Sequence, residues 1–211
     1  MSHDIEVYEE NPVTKAFQYY DQSLTSSLLT FYLSSEIVEP EHYVEMIHRI
    51  RNAGVHDLIY IILNTRGGQL DTGIQLINAM NASPATVTTV LDGECHSLGT
   101  LIFLSGDEFV INDHGLMMFH NFSGGVEGKG NEQAAQLGAT IKWFAKLMKK
   151  IYYPFLSKDE IERLLRGEDI WMDSDETRTR CKRMIKILEA DEMSTPRKKS
   201  TPKKKGTAKG K

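Results

Sequence analysis

Apolar residues recur along this chain with two different periods, and the changes of period lay out its elements. Leu28–Ser35, "LLTFYLSS", reads as a strand. In "EPEHYVEMIHRIRNA", Tyr43, Ile47 and Ile50 share one face at helical spacing. Asp57–Thr65, "DLIYIILNT", is a continuous apolar run, as expected of a strand buried on both faces. In "QLDTGIQLINAM", Leu70, Ile74, Ile77 and Met80 form a helical stripe. "ATVTTVLDGE" is strand-like, and "SLGTLIFLSG", apolar all round, predicts a short buried helix. "EFVIND" and "GLMMFHNF" add two strands.

Four glycines in "SGGVEGKGNE" break the pattern. A long helix is expected from about Asn131 to Phe155, where Leu137, Ile141, Phe144, Met148 and Ile151 recur every three or four residues. "SKDEIERLL" carries a capping box, Ser157 with Glu160 three residues on. "MDSDETRTRCKRMIKILEA" predicts a last helix. Strands alternating with helices indicate an α/β fold around a largely parallel sheet.

Composition adds a charge asymmetry. Residues 194–211 hold eight Lys/Arg and no acid, whereas residues 1–193 carry a net charge of −12. The basic tail repeats "STPRKK" as "STPKKK" and has nothing apolar larger than alanine, so it is expected to be disordered. Its charge fits two readings, a solvated tail that aids solubility or docks on an acidic partner, and a contact with nucleic acid or an acidic scaffold. No apolar run reaches the ~18 residues of a membrane span, and the acidic first twenty residues lack an apolar signal region. Two cysteines, Cys95 and Cys181, make neither a disulfide framework nor a zinc site. A cytoplasmic protein with no metal is expected.

Candidate chemistry centres on "GECHSLGT", Gly93–Thr100. A serine nucleophile needs a base, a group to orient that base, and donors for the oxyanion. Ser97 lies between a strand and an apolar helix, where it is either an exposed nucleophile or an ordinary N-cap. His96 adjoins it, but neighbouring side chains point apart. His120 ends the strand "LMMF" and projects from a strand end. Gly67–Gly68 lies at another strand-to-helix junction, where a backbone N–H can approach a reacting carbonyl closely.

Taken together, "NTRGGQLDTGIQLINAM", "GECHSLGTLIFLSG", "LMMFHNFSGG" and "IERLLRGEDIWMDSDE" resemble the proteolytic subunit of the Clp protease, the ClpP family. The likeness runs from about Leu28 to Thr177. It implies an α/β ClpP/crotonase-like fold of stacked ββα units, with Asn131–Phe155 as a protruding handle helix. Residues 28–190 would form the protease domain, 1–27 an axial gating segment and 191–211 the tail. By resemblance Ser97, His120 and Asp169 form the triad, and the N–H groups of Gly68 and Leu98 the oxyanion hole. Gln69 and Leu70 on one side, and Asn121, Phe122 and Ser123 on the other, would bind an extended peptide. Asp173 and Asp175 rival Asp169, although the Trp171–Met172 register favours Asp169. Cys95 stands where the family has a small residue and is expected to pack.

The resemblance implies a serine endopeptidase acting on unfolded polypeptides without a cofactor, in homo-oligomeric stacked heptameric rings, beside a possible AAA+ unfoldase. ATP use would belong to that partner, because the chain has no GxxxxGK[ST] loop. An inactive ring subunit with a structural role is the alternative. Two departures stand out: Arg66 replaces the proline before the glycine pair, and "TRTRCKRM" brings four positive charges to a stretch that is apolar in the family. The end of the fold is therefore expected to differ.

Overall fold

A computed structural model describes residues 25–194. The expected axial segment lies mostly, and the basic tail almost wholly, outside them. Six strands form one sheet: β1 (Leu28–Leu33), β2 (Leu58–Thr65), β3 (Thr86–His96), β4 (Glu108–Ile111), β5 (Leu116–Phe119) and β6 (Ile170–Asp173). Their order is β1-β2-β3-β5-β6, with β4 also paired to β3. Every pairing is parallel except that of β5 with β6. The α/β class expected from the alternating pattern is therefore present.

The long strand β3 serves two neighbours. Thr88–Leu91 pair with β4, and Glu94–His96 pair with β5. Between these stretches the register with β2 shifts, from Leu63 opposite Leu91 to Thr65 opposite Cys95. The extra residues bend β3, as a bulge does, and its last three residues reach the strand that leads to His120.

Helices α1 (Val44–Arg51), α2 (Leu70–Ala82) and α3 (Leu98–Phe103) contribute to the core. The predicted α1 begins with a 3-10 turn at Pro40–Tyr43. All six residues of α3 are buried, as its uniformly apolar sequence implies. Phe103, Phe119, Tyr152 and Phe155 are among the largest fully buried side chains. Each such burial contributes about 1.5–3 kcal/mol.

Strand β2 differs from expectation. Ile59, Ile61 and Leu63 are buried, but Tyr60 and Ile62 are half-buried and Leu58 is exposed. Among the described residues the helices pack the face of the sheet that carries Ile59, Ile61 and Leu63. The continuous apolar run therefore overstated the burial of the other face.

Helix α4 (Gly130–Tyr152) stops three residues before the expected Phe155. Tyr153 is extended, with ψ 133°, because the ring of Pro154 disfavours helical backbone in the residue before it. The C-terminal half of α4 is anchored through Phe144, Met148 and Tyr152, whereas Leu137, Ile141 and Trp143 are exposed.

Helix α5 (Lys158–Leu165) has the predicted capping box: Ser157 Oγ accepts from the Glu160 N–H, and Glu160 accepts from the Ser157 N–H. Met172 and Asp173, read as the start of the last helix, lie instead in β6, and α6 runs Ser174–Ser194. Cys181 and Met184 bury one side of α6. Arg180 binds both carboxylate oxygens of Glu160, at 3.0 and 2.8 Å, and Arg178 pairs with Asp113 and Asp175. Arg183 donates to the Phe155 carbonyl at 2.8 Å. Three of the four added charges thus fasten the helix to the body. The Arg180 guanidinium, with the N-cap hydrogen bonds, holds the Glu160 carboxyl down at about 2.

Candidate active site

The carboxyl ends of β1, β2, β3 and β5 lie along one edge of the sheet, where open α/β sheets place their ligand sites. Ser34–Ile37, Arg66–Gly68, Ser97 and His120 follow those four ends. Strand β6 runs the other way, so its leading residue, Asp169, reaches the same edge.

Ser97 has φ 54° and ψ −121°, and among the described residues no other non-glycine has positive φ. Such a backbone costs about 1–3 kcal/mol and persists only when its surroundings enforce it. Here the Ser97 N–H donates to the Met118 carbonyl at 2.8 Å, locking the turn to β5. The Ser97 carbonyl accepts from the Thr100 N–H at 3.0 Å and the Thr100 hydroxyl at 2.6 Å. Thr100 Oγ1 in turn meets the buried Tyr152 hydroxyl at 2.7 Å.

The side chain of Ser97 does not cap α3. Its Oγ lies 2.6 Å from Nε2 of His120. Of the two readings open for this serine, the hydroxyl is committed to histidine and the helix cap is not made. Both residues are half-buried.

The glycine pair is held from one side. The Ile37 N–H donates to the Gly67 carbonyl, and the Gln69 N–H to the Ile37 carbonyl, each at 2.7 Å. In a parallel bridge of this kind the intervening residue directs its own N–H and C=O the opposite way. Gly68 therefore turns its N–H away from Ile37. A Cβ at Gly68 would collide with the Ile37 carbonyl, and its φ of 144° also requires glycine. Leu98 opens α3, and a first-turn N–H has no acceptor within its helix. Thr65 ties the two strand ends together, accepting from the Gly67 N–H at 3.1 Å and donating to the Ser35 carbonyl at 2.6 Å.

Asp169 is exposed. The last β5–β6 pair is Phe119 opposite Ile170, so one further step sets His120 beside Asp169. Among the described residues no carboxylate is hydrogen-bonded to His120. The two rivals are engaged elsewhere: Asp173 Oδ1 accepts the Glu176 N–H at 2.9 Å and caps α6, and Asp175 pairs with Arg178 at 2.8 Å.

Gln69 is exposed at the start of α2, with Leu70 half-buried beside the core. Asn121 donates to the Leu165 carbonyl at 3.3 Å and accepts from the Phe122 N–H at 2.9 Å. The Phe122 ring meets Phe144 edge-on at 5.2 Å, and Ser123 is exposed. Phe122 is thereby fixed to α4, and the residues around it border the edge of the site.

Cys95 is fully buried, and burial pushes its thiol well above the ordinary range. His96, on the opposite face of β3, contacts Trp171 edge-on at 5.2 Å. Its Nε2 is buried without a hydrogen-bond partner among the described residues, and burial holds its pKa below the ordinary imidazole value. Neither flanking side chain turns toward Ser97 as His120 does. Ile37, Thr65 and Thr100, which brace the site, carry no sequence signal, because their role lies in tertiary hydrogen bonds.

A family model described as Clp protease matches residues 14–181. The chain is 33% identical over 76 residues to the ATP-dependent Clp protease proteolytic subunit of Chlorella vulgaris, covering 35% of this chain and 38% of that protein. It is 30% identical over 130 residues to the protein of that name from Streptococcus uberis, covering 56% and 63%. With ATP-dependent Clp protease proteolytic subunit 1 of Chlamydia abortus the identity is 29% over 128 residues, covering 57% and 65%. The aligned stretches span less than two thirds of the length of these curated relatives.

Proposed function

The chain belongs to the Clp protease family, and from that premise we propose that it is a serine endopeptidase that hydrolyses peptide bonds of unfolded polypeptides. The observation that carries this reading is the 2.6 Å approach of Ser97 Oγ to His120 Nε2. With neutral imidazole protonated on Nδ1, the serine hydroxyl donates to Nε2. The base takes that proton as Oγ attacks the substrate carbonyl. The resulting oxyanion would lie between the N–H groups of Gly68 and Leu98, whose donors need no rearrangement to receive it. The imidazolium then protonates the departing amine. Water, deprotonated by the same nitrogen, releases the acyl group from Ser97.

Asp169 would orient His120 through Nδ1 and stabilise the imidazolium. The β5–β6 register and the engagement of Asp173 and Asp175 elsewhere support this choice. An extended substrate would lie between Gln69–Leu70 and Asn121–Ser123. The domain assignment of residues 28–190, with an axial segment before and a basic tail after, accompanies this reading.

Assembly into stacked rings of seven, served by an AAA+ unfoldase in the cytoplasm, is part of the same proposal. Exposed Leu137, Ile141 and Trp143 on α4, and the half-covered outer sheet face, support burial against further copies. Among the described residues no helix is long and apolar enough to cross a membrane. The basic tail would dock on nucleic acid or an acidic partner. The second reading, a ring subunit without activity, draws on the missing hydrogen bond between His120 and a carboxylate.

The test is incubation of the full chain with fluorogenic peptides and a serine-directed covalent probe, then mass mapping of the labelled peptide. Cleavage with labelling at Ser97, both lost in Ser97→Ala, is expected. A folded, oligomeric chain that neither cleaves nor labels supports the inactive subunit instead.

A further inference from the structure

The residue that replaces the family's proline, Arg66, forms an ion pair that the chemistry above does not use. Its Nε donates to Glu94 Oε2 at 2.9 Å, across the ends of β2 and β3. Strand alternation puts Glu94 and His96 on the face opposite buried Cys95. His120 ends β5 on that same face, because Met117 and Phe119 point to the core. The pair therefore lies on the substrate side of the sheet.

Beside it opens a cleft of about 440 Å³. Ser34, Ser35 and Glu36 line it from the β1 side, Arg66 and Glu94 from the other, and Gly68 forms part of its wall. It is thus contiguous with Gly68, the candidate oxyanion glycine. Arg66 and Glu94 neutralise each other, and their pairing holds the Glu94 carboxyl below its ordinary range. Glu36 is exposed and has no ion-pair partner among the described residues. The cleft carries a net charge of −1. Asn64 and the outer N–H groups of Arg66 contribute donors, but the unbalanced charge sits on acceptors: the Glu36 carboxylate, beside the second Glu94 oxygen and the serine hydroxyls. A donor-rich cation complements that lining.

The side of the substrate follows from strand direction. If the Gly68 N–H receives the scissile carbonyl and Gln69–Leu70 flank the acyl part of an antiparallel peptide, the leaving part runs back past Gly67 and Arg66. We infer that the Ser34–Glu36/Arg66–Glu94 cleft is a leaving-side subsite that takes a lysine or arginine side chain within two residues after the cleaved bond. This inference rests on the peptidase reading and names a substrate class for it. Glu36 is its specificity-determining residue. Arg66 serves by occupying Glu94, without which the guanidinium would attract acidic side chains instead.

The test uses the full chain and internally quenched peptides that differ only at the two positions after the cleaved bond, at low ionic strength. Lysine peptides are expected to exceed glutamate peptides about 10-fold in kcat/KM, a preference that salt weakens. Glu36→Gln should reduce the ratio of lysine to alanine peptides several-fold. Glu94→Gln, which releases Arg66, should shift the ratio toward glutamate. Equal cleavage of all charges, or a lysine preference unchanged in Glu36→Gln, overturns the subsite and leaves the peptidase reading standing. No cleavage of any peptide overturns both.

Discussion

Gly67 stands directly against Ser97: a Cβ built on the glycine would lie 2.8 Å from the serine Cβ and 3.0 Å from both the His96 carbonyl oxygen and the Leu98 nitrogen. The glycine loop after β2 and the turn after β3 are therefore one packed unit. Movement of either displaces the other, and with it the hydroxyl that meets His120.

Gly67→Ala tests that unit. The added methyl has no room, and φ 95° is unfavourable for alanine. A stability loss of about 1–3 kcal/mol is expected. Peptide turnover should fall far more than the folded fraction does. Denaturant titration beside kcat separates the two effects, and normal turnover in the variant would show that the loops move independently.

Ser97→Gly carries the opposite sign for stability. Glycine adopts φ 54° without strain, so the variant should gain about 1 kcal/mol while losing all serine-dependent cleavage. Ser97→Ala removes the same hydroxyl and keeps the strain. The informative quantity is the difference in denaturation midpoint between the two variants. Equal midpoints would mean that the turn stores no strain.

The aspartates separate by chemistry. Asp169→Asn is expected to lower kcat by about 10²–10⁴-fold with little change in melting temperature, because only the orienting group fixes the tautomer of His120. Asp173→Ala removes the carboxylate that caps α6 and should cost about 1 kcal/mol at near-normal turnover. Near-full activity of Asp169→Asn would remove that residue from the triad.

His96 gives stability a pH dependence. Burial lowers its folded pKa below the unfolded value near 6.5. At pH near and below that value the unfolded chain binds more protons, so stability declines as the pH is lowered. The contribution is fully present above about pH 6.5 and is lost as pH drops through the folded pKa. His96→Gln should therefore flatten the profile of unfolding free energy between pH 7.5 and pH 5.5. Parallel profiles for the two proteins would show that the imidazole charges without penalty.

Much of the fold was legible because hydrophobic period is local. The run Leu58–Thr65, the stripe through Leu70, Ile74 and Ile77, and the all-apolar α3 each declare their element without reference to the rest of the chain. The burial of β2 was not, since a run of apolar residues does not say whether its second face meets the same chain or another. Strand β6 escaped notice because four residues beside a helix cap carry no period. Ser97 and His120 lie 23 residues apart, and their meeting depends on the bend of β3 and its pairing with β5. Only the family resemblance brought them together in advance. The unfavourable backbone at Ser97 had no sequence signal at all, because nothing about serine announces a positive φ.

The chain has two tryptophans, and the fold assigns them separate tasks as optical reporters. Trp171 meets the ring of His96, and a charged imidazole quenches indole emission. Trp143 sits exposed on α4, one residue before the anchoring Phe144, where covering it would shift its emission to the blue. With Trp143 replaced by phenylalanine, the remaining intensity follows the protonation of one histidine. With Trp171 replaced, the remaining colour would report whether α4 becomes covered as concentration rises. Without any attached dye, the polypeptide carries a proton gauge and an association gauge on two different surfaces.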